Sequence, residues 1–260
     1  MQVRDVIAAI EGFAPLSLQE KWDNSGLSVG SPSQEVHGVL LGFDCTPELI
    51  DEAVATGSDL VITHHPLIFR GINSIRPEDP VGLAIIKAVS AGVAVYATHT
   101  PSDKVLEGVS GAMARRLGLT GIEVLEPEGD GDTGFGAVGD LPEPLSFAEA
   151  ADLVKKTFGL SVLRASKAIA CPVKRIAMCG GSGSSLIAAA KASGAQLYLC
   201  GDVSYHYFFT TDGFAIMDIG HFESEVEIVS VLNSLLRKKF PNFAVRISGN
   251  LKDSNPIQYL

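Results

Sequence analysis

Short apolar runs of strand length alternate along this chain with segments of helical periodicity, and this alternation constrains the fold more than any other feature. The runs at 38–44 (GVLLGFD) and 59–63 (DLVIT) are predicted to be buried strands. Helices are predicted over 80–91, 105–117 and 147–158, and a further strand over 93–97. Strands that alternate with helices are typical of α/β folds with largely parallel pairing. We therefore expect a layered α/β protein.

The best candidate for a boundary between two such units is the acidic segment 126–133 (EPEGDGDT). It contains proline and two glycines and shows no apolar periodicity. We therefore predict a first α/β unit over 1–127 and a second over 128–239. The two halves share an order of strand, loop and helix, but no repeat of residues is visible.

Composition and charge exclude several classes of protein. The 260 residues are 46% hydrophobic and 19% charged, which is typical of an ordered globular chain. The formal net charge is −10, and the one short basic run, 237–239, closes a predicted helix, where cations suit the helix dipole. Nucleic-acid binding is therefore not expected.

The predicted location is the cytoplasm. The four cysteines are widely spaced and form no C-x-x-C motif, as expected for reduced thiols of a cytosolic protein. Charged residues at Arg4, Asp5 and Glu11 interrupt the N-terminal apolar stretch, so no signal peptide is predicted. No apolar run approaches the length of a membrane span, and no membrane association is expected.

Side chains of metal-binding type follow several of the predicted strands. Imidazoles and carboxylates at the ends of separate strands are a common way for an α/β protein to build a site for divalent first-row metals. Asp103 and Glu225 are also ordinary acids for the first turn of a helix, so alone each has a structural interpretation. The predicted ligands are His64, His65, Asp103, His221 and Glu225.

The histidine pair has a geometric condition. Neighbouring residues of a regular strand point to opposite faces, so His64 and His65 serve one site only if the backbone breaks there or if two metals take one histidine each. Pro66 supplies such a break. Two adjacent imidazoles in a core would each need two polar partners, which favours the metal interpretation.

Further polar side chains follow other strands. His99 ends one strand, and Asp202, Tyr205 and His206 follow another, so they are candidates for acid–base or substrate-binding roles. Asp202 has the alternative of capping a helix. The glycine-rich loop 180–185 joins a strand to a helix, where backbone N–H groups bind anions in other proteins. It lacks both a P-loop lysine and the third glycine of a dinucleotide fingerprint, so tight turn packing is the alternative.

Seven motifs occur in a fixed order along the chain: KWDNSGLSVG, LLGFDCTPELIDEA, DLVITHHPLIFRG, VYATHTPSD, CGGSGSS, GDVSYH and GHFESE. This ordered set resembles the Nif-three-like family, also known as type 2 homologues of GTP cyclohydrolase 1 and as dinuclear-metal-centre hexameric proteins. The resemblance covers nearly the whole chain. The sequence departs from the family pattern at Pro101-Ser102, usually asparagine-leucine, and at Val109-Ser110, usually glycine-asparagine. The long central insertion of larger members is missing, as in a compact bacterial form.

This resemblance implies two α/β units facing each other across a metal-containing cleft, with the C-terminal strand, within 240–260, joining the first unit. It implies the same five ligands for two divalent ions per subunit, with zinc, iron, manganese, cobalt and nickel all suited to such ligands. It also implies a toroidal homohexamer, to which the loops around Trp22 and Phe69 are expected to contribute apolar contacts.

Two function classes remain open. The first is a metal-dependent hydrolase acting on a nucleotide or related heterocycle, in which His99, His206 or Tyr205 orients the substrate or transfers a proton. The second is a non-catalytic toroidal protein that binds metal or protein partners. Turnover by the metal-loaded protein would separate them.

Overall fold

The computed structural model of this protein describes residues 1–129, 131 and 133–259. The expected α/β class is confirmed, because strands and helices alternate and form two sheets. The chain forms two compact units, the first from 1–102 and 228–257 and the second from 103–227 and the C-terminal residues that follow 257. No described helix has the length and apolarity needed to cross a membrane.

The strands are β1 (Gly26–Val29), β2 (Gly38–Leu41), β3 (Leu60–Thr63), β4 (Ala94–Ala97), β5 (Thr120–Glu128), β6 (Thr133–Leu145), β7 (Arg164–Ala165), β8 (Val173–Ser182), β9 (Leu197–Gly201), β10 (Ala215–Asp218) and β11 (Ala244–Ile247). The α-helices are α1 (Val3–Glu11), α2 (Pro47–Ala55), α3 (Pro80–Ala91), α4 (Thr100–Lys104), α5 (Val109–Arg116), α6 (Phe147–Phe158), α7 (Ile187–Ala192), α8 (His221–Glu225) and α9 (Ile228–Lys239).

The first unit is built on a sheet with the strand order β1-β4-β3-β2-β11. The strands β4, β3, β2 and β11 are parallel, and β1 pairs antiparallel with β4. Helices α2 and α3 cover one face, where Ile50 and Ala84 pack against Leu40, Val61 and Val95 of the sheet. The C-terminal strand β11 therefore belongs to the first unit.

Helix ends in the first unit follow from local sequence. Thr46 precedes α2 and its Oγ1 accepts a hydrogen bond from the backbone N–H of Leu49 at 3.2 Å, while Pro47 takes the first helical position. Asp79 caps α3 in the same way, and Gly92, with a φ of 69°, ends it in the left-handed conformation. These signals fix where both helices begin and where α3 ends.

The second unit has the strand order β5-β6-β8-β9-β10-β7. The central strands β8, β9 and β10 are parallel, and the other pairs are antiparallel. The acidic segment predicted as the unit boundary lies in the hairpin of β5 and β6, where Glu126 pairs with Phe135 and Glu128 with Thr133. Asp130 and Asp132 of that segment, and Leu260 of the predicted C-terminal segment, lie outside the described residues. The two compact units follow one another along the chain at 102/103 and 227/228, and the boundary predicted at 126–133 stays a prediction.

The polar side chains of interest lie beyond the carboxyl ends of the parallel strands in each unit. In the first unit, His64 follows β3 and His99 lies two residues after β4. In the second unit, Asp202 follows β9 and His221 lies three residues after β10. Ligand sites of open α/β sheets are found at this edge.

The opposite edge of the first sheet holds a carboxylate that stabilises the fold. Asp59 accepts hydrogen bonds from the backbone N–H groups of His37 and Gly38 at 2.8 and 3.3 Å, and its Oδ2 lies 2.7 Å from His37 Nδ1. Burial raises the pKa of Asp59, but these hydrogen bonds outweigh burial, so the net pKa is below its usual range. The carboxylate form therefore favours the folded state.

We expect Asp59→Asn to lower the free energy of unfolding by about 1–3 kcal/mol at pH 7, the usual value for hydrogen bonds to a charged group. Because the folded pKa is depressed, this stabilisation is present above the unfolded pKa of about 3.9 and disappears as the pH falls through the folded value. Urea unfolding of both proteins between pH 3 and pH 7 checks this. A difference in stability that stays constant down to pH 3 would contradict it.

Candidate metal centre

The backbone breaks at the histidine pair, as the metal interpretation requires. The N–H groups of His64 and His65 both donate to the carbonyl oxygen of Phe43, at 3.1 and 3.2 Å, which successive residues of a regular strand cannot do. Thr63 Oγ1 donates to the carbonyl of His65 at 2.8 Å and closes the turn. The two rings consequently lie on the same side, with centroids 4.8 Å apart.

A third imidazole joins this pair within the first unit. His99 has its ring centroid 5.3 Å from the centroids of both His64 and His65. One nitrogen from each of the three rings lies within 4.8 Å of the other two. His64 is fully buried and stacks on Phe43 with an interplanar angle of 17°. The three rings form a compact set of nitrogen donors.

Carboxylates orient two of these rings through Nδ1. Asp44 Oδ1 lies 2.7 Å from His65 Nδ1, and Asp23 Oδ1 lies 2.9 Å from His99 Nδ1. An ionised carboxylate only accepts, so Nδ1 carries the proton in both rings and Nε2 is the atom suited to a metal or a substrate proton. Carboxylates hold metal-binding histidines in this way in many metalloproteins.

Asp23 accepts several hydrogen bonds beside His99 in the first unit. Its carboxylate also accepts from Ser25 Oγ at 2.7 Å and from Thr100 Oγ1 at 2.6 Å. Burial raises the pKa of Asp23, but the hydrogen bonds from His99, Thr100 and Ser25 outweigh it and hold the pKa far below its usual range. The carboxylate is therefore ionised at neutral pH.

The second unit contributes a carboxylate-rich set centred on Glu225. A carboxylate oxygen of Asp103 lies within 4.8 Å of one from Glu225. His221 Nε2 lies 3.0 Å from Glu225 Oε2, close to the separation of about 3.3 Å between two ligand atoms that bind one tetrahedral zinc at 2.0–2.1 Å. Glu225 and Asp103 together supply hard oxygen donors beside one imidazole.

Asp202 orients His221 as the other aspartates orient the first two histidines. Its Oδ2 lies 2.7 Å from His221 Nδ1, which leaves Nε2 facing Glu225. Asp202 has a φ of 53°, a left-handed conformation that aspartate and asparagine adopt more readily than most residues. Its side chain contacts His221 directly, so Asp202 does not serve only as a helix cap.

The glycine-rich loop packs against this carboxylate set. A Cβ on Gly181, whose φ is +60°, would lie 2.2 Å from Glu225 Oε1, and a Cβ on Gly180 would lie 2.9 Å from Glu225 Cγ. The backbone N–H of Gly181 donates to Ser224 Oγ at 2.9 Å. Ser224 thus ties α8 to the loop. The loop needs glycine because the Glu225 side chain occupies the space.

A buried thiol lies beside the same carboxylates. Burial, together with the nearby charges of Asp103 and Glu225, raises the pKa of Cys179 well above its usual value. Cys179 is therefore a neutral, unreactive neighbour of the site. All four cysteines are free thiols, as the sequence predicts.

Tyr205 and His206 lie on a short 3-10 turn of the second unit, Tyr205–Phe208, which begins four residues after β9. Tyr205 is 71% exposed, and its ring packs edge-on against His206 and Phe209 at 5.3 and 5.5 Å. Their catalytic roles stay predictions, as do those of His99 and the five ligands.

Two residues of the site do not emerge from sequence reasoning. Asp23 and Asp44 are separated from their histidines by 76 and 21 residues, and no local pattern connects them. Asp23 does lie within the KWDNSGLSVG motif, and Asp44 is the last residue of the strand-like run GVLLGFD. An acid at the carboxyl end of a predicted strand is the signal that would have indicated Asp44.

The donor atoms in each unit suit the divalent metal ions that the sequence predicts. Imidazole nitrogens and carboxylate oxygens bind zinc, iron, manganese, cobalt and nickel, and oriented Nε2 atoms favour any of these ions. Gly181 has no side chain, so it leaves free the space that the Glu225 carboxylate occupies. The residues present therefore fit divalent first-row metals.

Comparisons with known proteins agree with the resemblance inferred from the motifs. A family model described as Duf34/NIF3 (NGG1p interacting factor 3) matches residues 1–256. A Clostridium perfringens protein named GTP cyclohydrolase 1 type 2 homolog is 34% identical over 242 residues, which cover 92% of each chain. A Streptococcus pneumoniae protein of the same name is 31% identical over the whole of both chains.

Solved structures show the same fold. A Staphylococcus aureus hypothetical protein is 26% identical, with a TM-score of 0.93 over 100% of this chain and 99% of that one. A Bacillus cereus protein related to NIF3 has a TM-score of 0.92 over the same shares, and at 23% identity it supports the fold alone. The resemblance to Nif-three-like proteins is thus confirmed. This chain belongs to the Duf34/NIF3 family.

Proposed function

We propose that this protein binds two divalent first-row metal ions and uses them to hydrolyse a nucleotide or related heterocycle. The observation that carries the proposal is the orientation of His65 and His221, each held through Nδ1 by a carboxylate so that Nε2 serves as the ligand atom. The proposed ligands are His64, His65, Asp103, His221 and Glu225.

Two arguments support Asp103 and Glu225 as ligands beside the histidines. Asp103 follows Ser102 in α4, and Ser102 Oγ lies 3.4 Å from His64 Nδ1. The second argument is electrostatic. Neutral imidazoles alone do not offset the repulsion between two dications in a low-dielectric site, whereas the carboxylates of Asp103 and Glu225 do.

The residues have distinct roles in the proposed reaction. When bound, divalent ions lower the pKa of coordinated water and polarise a substrate oxygen. His99 is suited to proton transfer, because Asp23 fixes its tautomer and leaves Nε2 available to a substrate, as in other aspartate–histidine pairs. Tyr205 and His206 remain proposed substrate-orienting residues. The substrate class comes from the name of the relatives.

The test is turnover by protein stripped with chelator and reloaded with one metal at a time. We expect hydrolysis of at least one compound in a panel of nucleotides and heterocycles, and its loss in His65→Ala. His37→Ala is the matched control, because His37 also has an aspartate on Nδ1, at 2.7 Å, but its side chain is exposed. Metal binding without turnover for any metal would contradict the hydrolase and favour the non-catalytic class.

The homohexamer implied by the resemblance also stays a prediction. Light scattering at micromolar concentration checks it, and a stable monomer would contradict it.

A further inference from the structure

Two exposed aromatic rings stand beside the histidine cluster of the first unit. Trp22 is 58% exposed and Phe69 is 43% exposed, with their ring centroids 6.1 Å apart. Both pack edge-on against His99, at 5.8 and 5.7 Å. Exposed apolar side chains that pack together, unlike those that lie singly on a surface, often mark a ligand or partner site.

The loops that carry these rings are held in place. The side chain of Asp23, the residue after Trp22, is fully buried and bonded to His99, Thr100 and Ser25. Asn24 Nδ2 donates to the carbonyl of Ile68 at 2.6 Å, which ties the Trp22 loop to the residue before Phe69. A rigid arrangement of exposed rings lowers the entropy lost when a ligand binds.

Charge distinguishes the kind of ligand. Lys21 precedes Trp22 and Arg70 follows Phe69, and both are exposed. In a chain with a formal net charge of −10, two cations next to the aromatic rings favour an anionic ligand. A planar ring that carries phosphate combines the features that these side chains recognise: stacking on aromatic faces and attraction to cations.

We propose that Trp22 and Phe69 bind the heterocyclic ring of a nucleotide, with Lys21 and Arg70 attracting its phosphates and His99 at the inner edge of the site. The role of this ligand as a substrate rests on the proposed function, whereas its binding to the two rings does not. The rings were expected to contribute to subunit contacts, and their contact with His99 favours the ligand instead.

Trp22 itself reports on the test, because it is the single tryptophan of the chain. In chelator-treated protein, we expect GTP to quench its fluorescence saturably, guanosine to do so more weakly and ribose 5-phosphate to have no effect. Calorimetry should show that Trp22→Ala and Phe69→Ala each weaken GTP binding about fivefold or more, the loss of one stacking contact. Phe69→Tyr should retain binding.

Matched variants separate the contributions. Lys21→Ala and Arg70→Ala should weaken GTP but not guanosine, and Val89→Ala, which removes an apolar side chain that is 65% exposed on α3, should change neither. The proposal is overturned if neither GTP nor guanosine quenches, if ribose 5-phosphate quenches equally, or if Phe69→Ala binds GTP normally. It is also overturned if the alanine variants bind normally but change the assembly in light scattering, which would make the rings a subunit contact.

Failure of this inference and of the hydrolase are distinguishable. Nucleotide binding in chelator without turnover in any metal-loaded sample would support the ring site and contradict the hydrolase. Turnover of a nucleotide that Trp22→Ala and Phe69→Ala leave unchanged would support the hydrolase and overturn the ring site.

Discussion

Replacing Glu225 with alanine is expected to weaken metal binding more than tenfold and to leave the protein folded. Glu225 is nearly fully buried and lies next to both Asp103 and His221. Loss of a residue that only orients a ligand already costs about 10- to 100-fold in metal affinity, so loss of a ligand should cost at least as much. Equilibrium dialysis with metal analysis by mass spectrometry measures the change.

Stability should respond much less than metal content. In chelator, the neighbouring carboxylates of Asp103 and Glu225 repel each other, so removal of one offsets part of the packing that it loses. We therefore expect similar thermal unfolding of Glu225→Ala and the parent protein in chelator. Glu227→Ala is the control, because Glu227 pairs with Arg116 on the surface at 3.0 Å. Full metal occupancy in Glu225→Ala would show that the ligands are misassigned.

Gly181→Ala is expected to disturb the same site from the side of the loop. Its Cβ would lie 2.2 Å from Glu225 Oε1 and 3.2 Å from His221 Cε1, so both side chains must move. The left-handed backbone, with a φ of +60°, adds about 1–2 kcal/mol. We expect a loss of more than about 2 kcal/mol in the free energy of unfolding and a clear drop in metal affinity.

Gly194 provides a matched control for the backbone effect. Its φ is +79°, and a Cβ there would have nothing within 4 Å. Gly194→Ala should therefore lose only the conformational contribution and keep normal metal affinity. Urea unfolding and metal dialysis of both variants measure the two effects. Equal losses in both variants would show that the Gly181 contact with Glu225 does not matter.

The sequence predicts the helices with strong end signals to the residue. The helix predicted over 80–91 is α3, because Asp79-Pro80 and Gly92 mark both ends. The helix predicted over 147–158 is α6, since Ser146 and Glu149 form a capping box and Gly159 follows it. The buried parallel strands are also predictable, because strands that are buried on both faces consist of continuous apolar runs.

Other features depend on contacts distant in sequence. The helix predicted over 105–117 begins only at Val109, and a Cβ on Gly111 would lie 1.6 Å from the carbonyl of Leu106, so the intervening turn packs against the helix. In the hairpin of β5 and β6, the strand β5 lies at the edge of the sheet and most of its residues are exposed. Exposed edge strands tolerate charged residues on both faces, so the sequence of β5 lacks the alternation of apolar and polar residues that would predict a strand.

The candidate site also depends on contacts between residues that are distant in sequence. The ligand-type residues are visible because each follows a strand, but the partners on Nδ1 come from elsewhere in the chain, as for Asp23 and His99. Sequence spacing therefore predicts which residues have the right chemistry. Only the fold shows which atom of each ring is available.

Anomalous diffraction from crystals grown with zinc or manganese tests the ligand assignment most directly. We expect two peaks about 3.5–4 Å apart, as in other two-metal sites, each with ligand atoms about 2.0–2.2 Å away. The side chains that contact them should be His64, His65, Asp103, His221 and Glu225. Peaks that contact none of these residues, or a single ion bound only by surface carboxylates, would contradict the dinuclear centre.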